Sequence, residues 1–334
     1  PTYLIIGAAG GHNSERSVIT VAVNGRALPT QIAPGGMMEL VFDPSRQGRT
    51  DSIIFTVPAG QIAKGINEIT IRLDEQSWIL YDYVALRTVN KPLKPDVPEL
   101  KKEFLAGPMA DVEEIVFAVR KPGPDGHWYA NIGYYAADHP DGSPVRHKGE
   151  RVTYCPGGKL CKLNVRTGKV TTLIDDPLGG VRDPVVNYDG KTILFSWRKG
   201  DSEHYHLWRI DADGAGLTKL TDGEFDDFEP CWLPDDGIVF VSTRCKRWVN
   251  CWVTQVAILH RCEADGSDIR PISANVEHDN TPWVLPDGRI LYQRWEYIDR
   301  SQVDYHHLWA AHPDGTNQMV FYGNLHPGTV MIDA

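Results

Sequence analysis

Apolar and polar residues alternate with a period of two along much of the chain, the spacing of half-buried strands. Residues 17–24 read Ser-Val-Ile-Thr-Val-Ala-Val-Asn and turn at Asn24-Gly25, a dipeptide suited to the positive φ angles of a tight hairpin. Further strands are predicted over 52–58, over 68–73 with strict alternation, and over 78–86, a long aromatic run. Residues 1–90 contain no good amphipathic helix pattern. Strands of this length separated by turn residues predict a β-sandwich, jelly-roll-like, over residues 1–88. No convincing first strand precedes residue 17 in this reading. Residues 89–110 carry Pro92, Pro95, Pro98 and Pro108 among several lysines, the composition of an extended connector.

Beyond residue 110 the chain repeats itself. Asp183-Pro184, Glu229-Pro230 and Thr281-Pro282 each open a strand, an Asp-Gly tip and a second strand. The prolines lie 46 and 52 residues apart. A third strand and a second Asp-Gly tip follow in each unit, at Asp213-Gly214, Asp265-Gly266 and Asp314-Gly315. Short strands joined by such tips at this period predict a β-propeller of about four blades over 111–334, the first blade being a weaker unit containing residues 114–118 and 162–168. Residues 328–334 read as the start of another blade. The ring is therefore expected to be incomplete in this chain, completed by a partner chain or a missing C-terminal segment. Phe195, Trp208, Trp232, Phe240, Trp283 and Trp309 are expected to pack between blades.

Composition narrows the function classes. The 334 residues carry a net charge of −10, which argues against nucleic acid as the main partner. No run approaches 18 apolar residues, so no membrane span is expected. The chain starts at Pro1 and reads as a fragment of a larger protein. Its 31 glycines, 23 prolines and 10 tryptophans suit an all-β secreted or periplasmic protein. Six cysteines leave disulfides open, with Cys155/Cys161 and Cys245/Cys251 close in sequence, and buried thiols are the plainer alternative. No C-x-x-C-H haem attachment site occurs.

The segments around Asn24-Gly25, 55–60, 65–73 and 78–86 resemble the β-sandwich domain of rhamnogalacturonan lyases, an accessory, carbohydrate-binding-like module. The repeat resembles the TolB-like propellers. Residues 225–231, 241–245 and 278–297 resemble more closely the middle domain of the hydrazine synthase alpha-subunit family. These resemblances imply an all-β fold, an N-terminal β-sandwich followed by a TolB-like propeller, and a carbohydrate context.

Strand direction alternates within a blade, so entries to the first strand, exits from the second and entries to the third share one face. That face is predicted to hold Arg182, Asp183, Asp226, Asp227, Glu229, His278, Asp279 and Asn280, then Arg198, Arg244 and Arg294, then His204, Tyr205, His206, Tyr305, His306 and His307. The mixture suits an acidic polysaccharide, since arginine forks bind carboxylates. β-Elimination from a uronate needs a base, a cation to stabilise the enolate-like transition state, and an acid. His278, Arg244, Arg294, Tyr305 and His306 are the candidate catalytic residues, with Tyr297 a second candidate acid. Arg182, Arg198, Asp279, Asn280 and Trp295 are candidate substrate contacts. His206, His278 and His307 are candidate ligands of a divalent metal, Ca or Mn, by analogy with oligogalacturonate lyases. Each has a structural alternative: the histidines as inter-blade packing, the arginines as inter-blade ion pairs with Asp183, Asp227 and Asp279. The functional alternatives are a non-catalytic carbohydrate- or protein-binding scaffold and a haem-containing redox subunit related to hydrazine synthase.

Overall fold

A computed structural model of the chain describes residues 2–11, 18–32, 51–74, 79–88, 90, 98–107, 109–121, 139, 143, 146–147, 150–151, 155–200, 202–250, 253–297, 300, 304–323 and 330–331. It divides into two compact units, Pro1–Gly107 and Pro108–Ala334.

The first unit contains β1 (Thr2–Gly11), β2 (Val18–Val23), β3 (Arg26–Ala27), β4 (Gln31–Ile32), β5 (Asp51–Val57), β6 (Ile69–Asp74), β7 (Ile79–Arg87) and helix α1 (Pro98–Ala106). Two antiparallel sheets form, β5–β1–β7 and a second in which β2 pairs with β3, β4 and β6. Leu4, Ile6, Ile53, Phe55 and Val57 of one sheet share a core with Ile19, Val21, Val23, Ile69 and Ile71 of the other. Strand β1, which the alternation does not reveal, is the central strand of its sheet. Leu4, Ile5 and Ile6 are all buried, so no alternation marks the run. Asn24 and Gly25 take φ angles of 50° and 73° at the β2–β3 hairpin. The Asn24 side chain donates to Asn67 Oδ1 at 2.9 Å and accepts from the Glu68 N–H at 2.9 Å, so these turn residues hold one another. The proline-rich segment is not extended throughout: α1 occupies Pro98–Ala106, with proline in the first turn and the Gly107 N–H bonded to the Glu103 carbonyl at 2.9 Å.

The second unit is a succession of antiparallel sheets of TolB-like propeller type. The first sheet is β8 (Glu114–Val119), β11 (Gly158–Asn164) and β12 (Val170–Asp176); the short pair β9 (Arg146–His147) and β10 (Glu150–Arg151) lies between them in sequence. The second is β13 (Gly180–Val186), β14 (Thr192–Arg198), β15 (His206–Asp211) and β16 (Thr218–Lys219). The third is β17 (Asp227–Trp232), β18 (Ile238–Ser242), β19 (Ile258–Cys262) and β20 (Arg270–Pro271). The fourth is β21 (Asp279–Val284), β22 (Ile290–Trp295), β23 (His306–Ala311) and β24 (Met319–Tyr322). Only residues 330–331 of the predicted further blade are described.

Each sheet packs on the next through an apolar layer. Phe195 and Trp197 meet Leu160 between the first and second sheets, Phe240 and Trp232 meet Leu194 between the second and third, and Cys231 and Leu259 meet Ile290 and Tyr292 between the third and fourth. Trp283, expected between blades, is instead 55 % exposed. The second Asp-Gly tips dock on the preceding sheet: a Cβ at Gly266 would strike the Leu220 carbonyl, and one at Gly315 the Ile272 carbonyl. Glycine at these positions is therefore a packing requirement as well as a turn requirement.

The innermost strands β13, β17 and β21 share one irregularity. Their pairing slips at Arg182/Val185, Phe228/Cys231 and Asn280/Trp283. The bulged residue before each proline, Asp183, Glu229 and Thr281, takes φ of 53°, 49° and 51°. Such conformations cost non-glycine residues about 1–3 kcal/mol each.

Cys161, Cys231, Cys245 and Cys262 are free thiols, and Cys251 lies outside the described residues. Burial pushes the Cys231 thiol up to about 11 and the Cys262 thiol up to about 12, the behaviour of inert core cysteines.

Candidate functional site

The bulges bring the first group of polar residues together. Arg182 is fully buried between two carboxylates, with Nε 2.5 Å from Asp183 Oδ2 and Nη2 3.2 Å from Glu229 Oε1. The left-handed turn of the backbone aims each bulged carboxylate at the next sheet. The Glu229 N–H donates to Asp183 Oδ2 at 3.2 Å, and the Thr281 N–H donates to Glu229 Oε2 at 2.6 Å. The Arg182 guanidinium lies 4.6 Å from the Phe228 ring centre, and Arg182 and Arg198 each lie 5.9 Å from that of Tyr205. Burial disfavours the charge of Arg182, but Asp183 and Glu229 outweigh it and raise its pKa. Burial and the nearby Arg182 lower that of Arg120, against Asp183, Tyr205 and Glu229. Burial raises the Tyr205 phenol although Arg182, Arg120 and Arg198 oppose it. Gly180 leaves the room that the Tyr205 hydroxyl occupies.

A second group lies where the third sheet begins. Asp226 Oδ1 accepts the Tyr205 N–H at 2.8 Å. Asp227, fully buried, accepts from Ser242 Oγ at 2.7 Å and from Arg244 Nη2 at 2.9 Å. His204 Nδ1 lies 3.7 Å from Asp226 Oδ1, and His206 Nδ1 lies 3.8 Å from Asp227 Oδ2. Arg244 also covers the Phe225 ring at 4.8 Å, with Lys246 at 5.1 Å from the same ring.

The third group belongs to the fourth sheet. The Trp295 indole stacks on His306 at 5.0 Å and on Tyr297 at 5.4 Å, and His278 lies 5.8 Å from it. His278 Nδ1 accepts the Ala257 N–H at 3.2 Å, and Gln293 Nε2 meets His306 Nδ1 at 3.0 Å. Burial, with His306 nearby, pushes His278 down to about 3. Burial pushes Asp279 up to about 6, against Arg294, whose Nε stands 3.9 Å from its Oδ1. Asn275 Nδ2 donates to the same oxygen at 3.1 Å. Arg294 lies 4.7 Å from the Trp309 ring centre and donates to Gln318 Oε1 at 3.2 Å. Tyr305 meets His307 edge-on at 5.3 Å. Asn280 is buried on β21.

The predicted face therefore resolves into separate groups. Arg182 and Arg198 lie at Tyr205, and His206 and Arg244 lie at Asp227, while His278, Asp279, Asn280, Arg294, Trp295, Tyr305, His306 and His307 belong to the fourth sheet. Arg198, Arg244 and Arg294 are not equivalent. Arg198 pairs with Gly180, Arg294 pairs directly with Asp279, and Arg244 lies two residues beyond Ser242, the partner of Asp227. The Arg244–Asp227 and Arg294–Asp279 contacts lie within one sheet each, not between blades, and Asp183 is held by Arg182. The three candidate metal ligands also lie apart: His206 beside Asp227, His278 against Trp295 and His307 against Tyr305. Among the described residues no group of three His, Cys, Asp or Glu side chains could hold a metal ion.

Arg120 and Glu277 lie outside the sequence-based candidates. Arg120 follows β8 as Arg198 ends β14, and Val-Phe-Ala-Val-Arg120 parallels Leu-Phe-Ser-Trp-Arg198. Glu277 is buried and raised to about 7 by that burial, against the Asn250 N–H and Arg247; no motif marks it.

No family model and no curated protein matches the chain. Among solved structures it is similar to hydrazine synthase of Kuenenia stuttgartiensis, at 16 % identity and TM-score 0.50, over 64 % of this chain and 32 % of that one. It is also similar to oligogalacturonate lyase of Vibrio parahaemolyticus, at 14 % identity and TM-score 0.37, over 53 % of this chain and 46 % of that one. A third is TolB of Acinetobacter baumannii, at 13 % identity and TM-score 0.37, over 77 % and 66 %. The match spans about a third of the hydrazine synthase chain. These identities establish likeness of fold alone. No helix among the described residues is long and apolar enough to cross a membrane.

Proposed function

We propose that the chain is a secreted or periplasmic carbohydrate-active protein that cleaves a uronate-containing polysaccharide by β-elimination, with the first unit as an accessory carbohydrate-binding module. The observation that supports this reading best is the setting of His206. Its Nδ1 stands 3.8 Å from the buried Asp227 carboxylate, which Arg244 also binds, and Arg198 lies next to its cross-strand partner Trp197. A histidine backed by a carboxylate is a proton acceptor, and arginines neutralise both a uronate carboxylate and the charge that spreads onto it as the α proton leaves. His206 takes that proton, the electron pair forms the new C=C bond as the glycosidic C–O bond breaks, and the imidazolium or water protonates the leaving oxygen. His278, a candidate catalytic residue in the sequence where His206 is a candidate metal ligand, is held near 3 and is a weak base at neutral pH.

Incubation with pectic, rhamnogalacturonan and ulvan-type polymers is expected to raise the ultraviolet absorbance of unsaturated uronates. His206→Ala is expected to reduce that rate by about 100-fold or more, the usual worth of a general base. Absence of product from every polymer, alongside tight binding on a glycan array, supports the second reading, a non-catalytic binding scaffold. That reading draws on the engagement of Arg182 and Asp227 in contacts within the protein.

A further inference from the structure

In the elimination assigned to His206, the departing oxygen takes its proton from the same imidazole or from water. The tyrosines that the sequence offers as acids lie elsewhere. Tyr297 stacks on Trp295 at 5.4 Å and Tyr305 meets His307 at 5.3 Å, both with the fourth sheet. Tyr205 stands nearer, but it is buried beside Arg182 and Phe228, and that burial raises its phenol.

His204 has the placement these tyrosines lack. Its Nδ1 lies 3.7 Å from Asp226 Oδ1, as His206 Nδ1 lies 3.8 Å from Asp227 Oδ2. Two histidines separated by one residue thus meet two successive carboxylates. Both carboxylates are buried, while the His204 and His206 side chains are 24 % and 12 % exposed. An imidazole that turns Nδ1 to a carboxylate carries Nε2 on the opposite side of its ring, the side from which a proton is exchanged with a ligand. Contacts of this kind tighten when substrate binds. The two Cα atoms are at most about 7 Å apart, the reach of two residues of extended chain. Catalytic groups flanking one scissile bond work over such distances: the carboxyl pairs of glycosidases stand about 5–9.5 Å apart.

The two dyads differ in charge. Asp227 is shared, because Arg244 Nη2 binds the oxygen that faces His206 at 2.9 Å, and Ser242 Oγ donates to the other at 2.7 Å. Asp226 accepts the Tyr205 N–H at 2.8 Å, and among the described residues no lysine or arginine pairs with it. The charge of Asp226 is left to His204, where that of Asp227 is divided between His206 and Arg244.

We propose that His204, backed by Asp226, is the general acid of the same site, an inference that rests on the lyase reading. The cycle starts with His204 as imidazolium and His206 neutral. His206 takes the α proton, and the electron pair left behind forms the new C=C bond. The glycosidic C–O bond breaks, and the departing oxygen takes the proton of His204. The two histidines end with their charges exchanged, and proton exchange with water restores both.

A general acid matters only where the leaving group needs a proton, so kinetics of the intact chain on two substrates test the assignment. One is the polymer it cleaves fastest among the pectic, rhamnogalacturonan and ulvan types, whose leaving group is a sugar alkoxide. The other is a uronate with dinitrophenolate in place of the departing sugar, a leaving group stable without a proton. His204→Ala is expected to lower kcat/KM on the polymer by about 100-fold or more and to leave the dinitrophenolate substrate near the wild-type rate. His204→Gln, which cannot relay a proton, is expected to give the same split, with an unchanged far-ultraviolet dichroism spectrum in both variants. His206→Ala is expected to lose activity on both substrates. An active wild type whose His204 variants lose equally on the two substrates, or lose nothing on the polymer, would overturn the role of His204 and leave the lyase reading standing. A wild type that releases neither unsaturated uronate nor dinitrophenolate would overturn the lyase reading, and this role with it.

Discussion

At the junction of the second and third sheets, Arg182 lies between Asp183 and Glu229, and both carboxylates also accept backbone N–H bonds. At the entry to the fourth sheet, the same stretch of the repeat holds His278 and Asp279, and burial drives both toward their neutral forms. The positions correspond: Arg182, Phe228 and Asn280 stand before the bulge, and Val181, Asp227 and Asp279 one residue earlier. One region retains charge by pairing it, the other suppresses charge by desolvating it. A paired region depends on every partner staying in place. A desolvated region depends on pH.

Removing a partner is expected to have the largest effect. Arg182→Ala leaves Asp183 and Glu229 without the guanidinium that bonds both, and with Arg120 as a remaining nearby cation. Breaking a buried pair from one side costs about 3–5 kcal/mol, because the surviving charges stay buried. Thermal unfolding of the variant at pH 7 reads this directly. A loss below about 1 kcal/mol, the worth of a surface pair, would show that the cluster is hydrated and that pairing is not what distinguishes it.

The pH dependence of the fourth sheet is the next effect in size, and its two neighbours have opposite signs. His278 is lowered from 6.5 to about 3, so its contribution to stability is complete above 6.5 and is lost as pH falls toward 3. Asp279 is raised from 3.8 to about 6, so its contribution is complete below 3.8 and is lost as pH rises through 6. Arg294, Tyr292 and Glu296 also act on Asp279, and Glu277, raised from 4.5 to about 7, adds to its sign. Between pH 4 and 6 the histidine and the aspartate therefore oppose each other. Relative to wild type, Asp279→Asn is expected to make stability climb with pH across this window, and His278→Gln to make it fall. Each slope approaches about 1.4 kcal/mol per pH unit where one proton separates the folded and unfolded chains. Parallel profiles for wild type and both variants would mean that neither group is held in its neutral form.

The contrast between these regions was only half visible in the sequence. The Asp-Gly tips and the three X-Pro steps announce the sheets and their order, because turn chemistry and strand alternation are local. The left-handed backbone at Asp183, Glu229 and Thr281 is not announced. A residue before proline normally prefers extended backbone, and a β-branched threonine is a poor candidate for positive φ. That irregularity shifts the pairing, which is why Arg198, Arg244 and Arg294 look equivalent along the chain and are not equivalent in the sheets. Arg120 carries a readable signal in Val-Phe-Ala-Val-Arg, but its unit is the weakest of the four repeats. Glu277 and the stacking of Trp295 on Tyr297 and His306 depend on burial, which no local pattern encodes.

The smallest effect separates the bulges from one another. Asp183 and Glu229 use their left-handed backbone to reach the next sheet's N–H, so the conformation is offset by a bond. Thr281 takes the same left-handed backbone, with φ of 51°, and its N–H donates to Glu229 Oε2. Glycine takes this conformation freely but loses about 0.5–1 kcal/mol to chain entropy. Thr281→Gly keeps the N–H that Glu229 accepts and is expected to fall within about 1 kcal/mol of wild type. Glu229→Gly relieves the same strain yet leaves the Thr281 N–H and the buried Arg182 each short of a bond, and is expected to destabilise by about 2 kcal/mol or more. Chemical denaturation of the two variants side by side measures the difference. Equal losses at both positions would mean that the bulge is held by the strand pairing around it, and that the carboxylate clasp between sheets contributes nothing of its own.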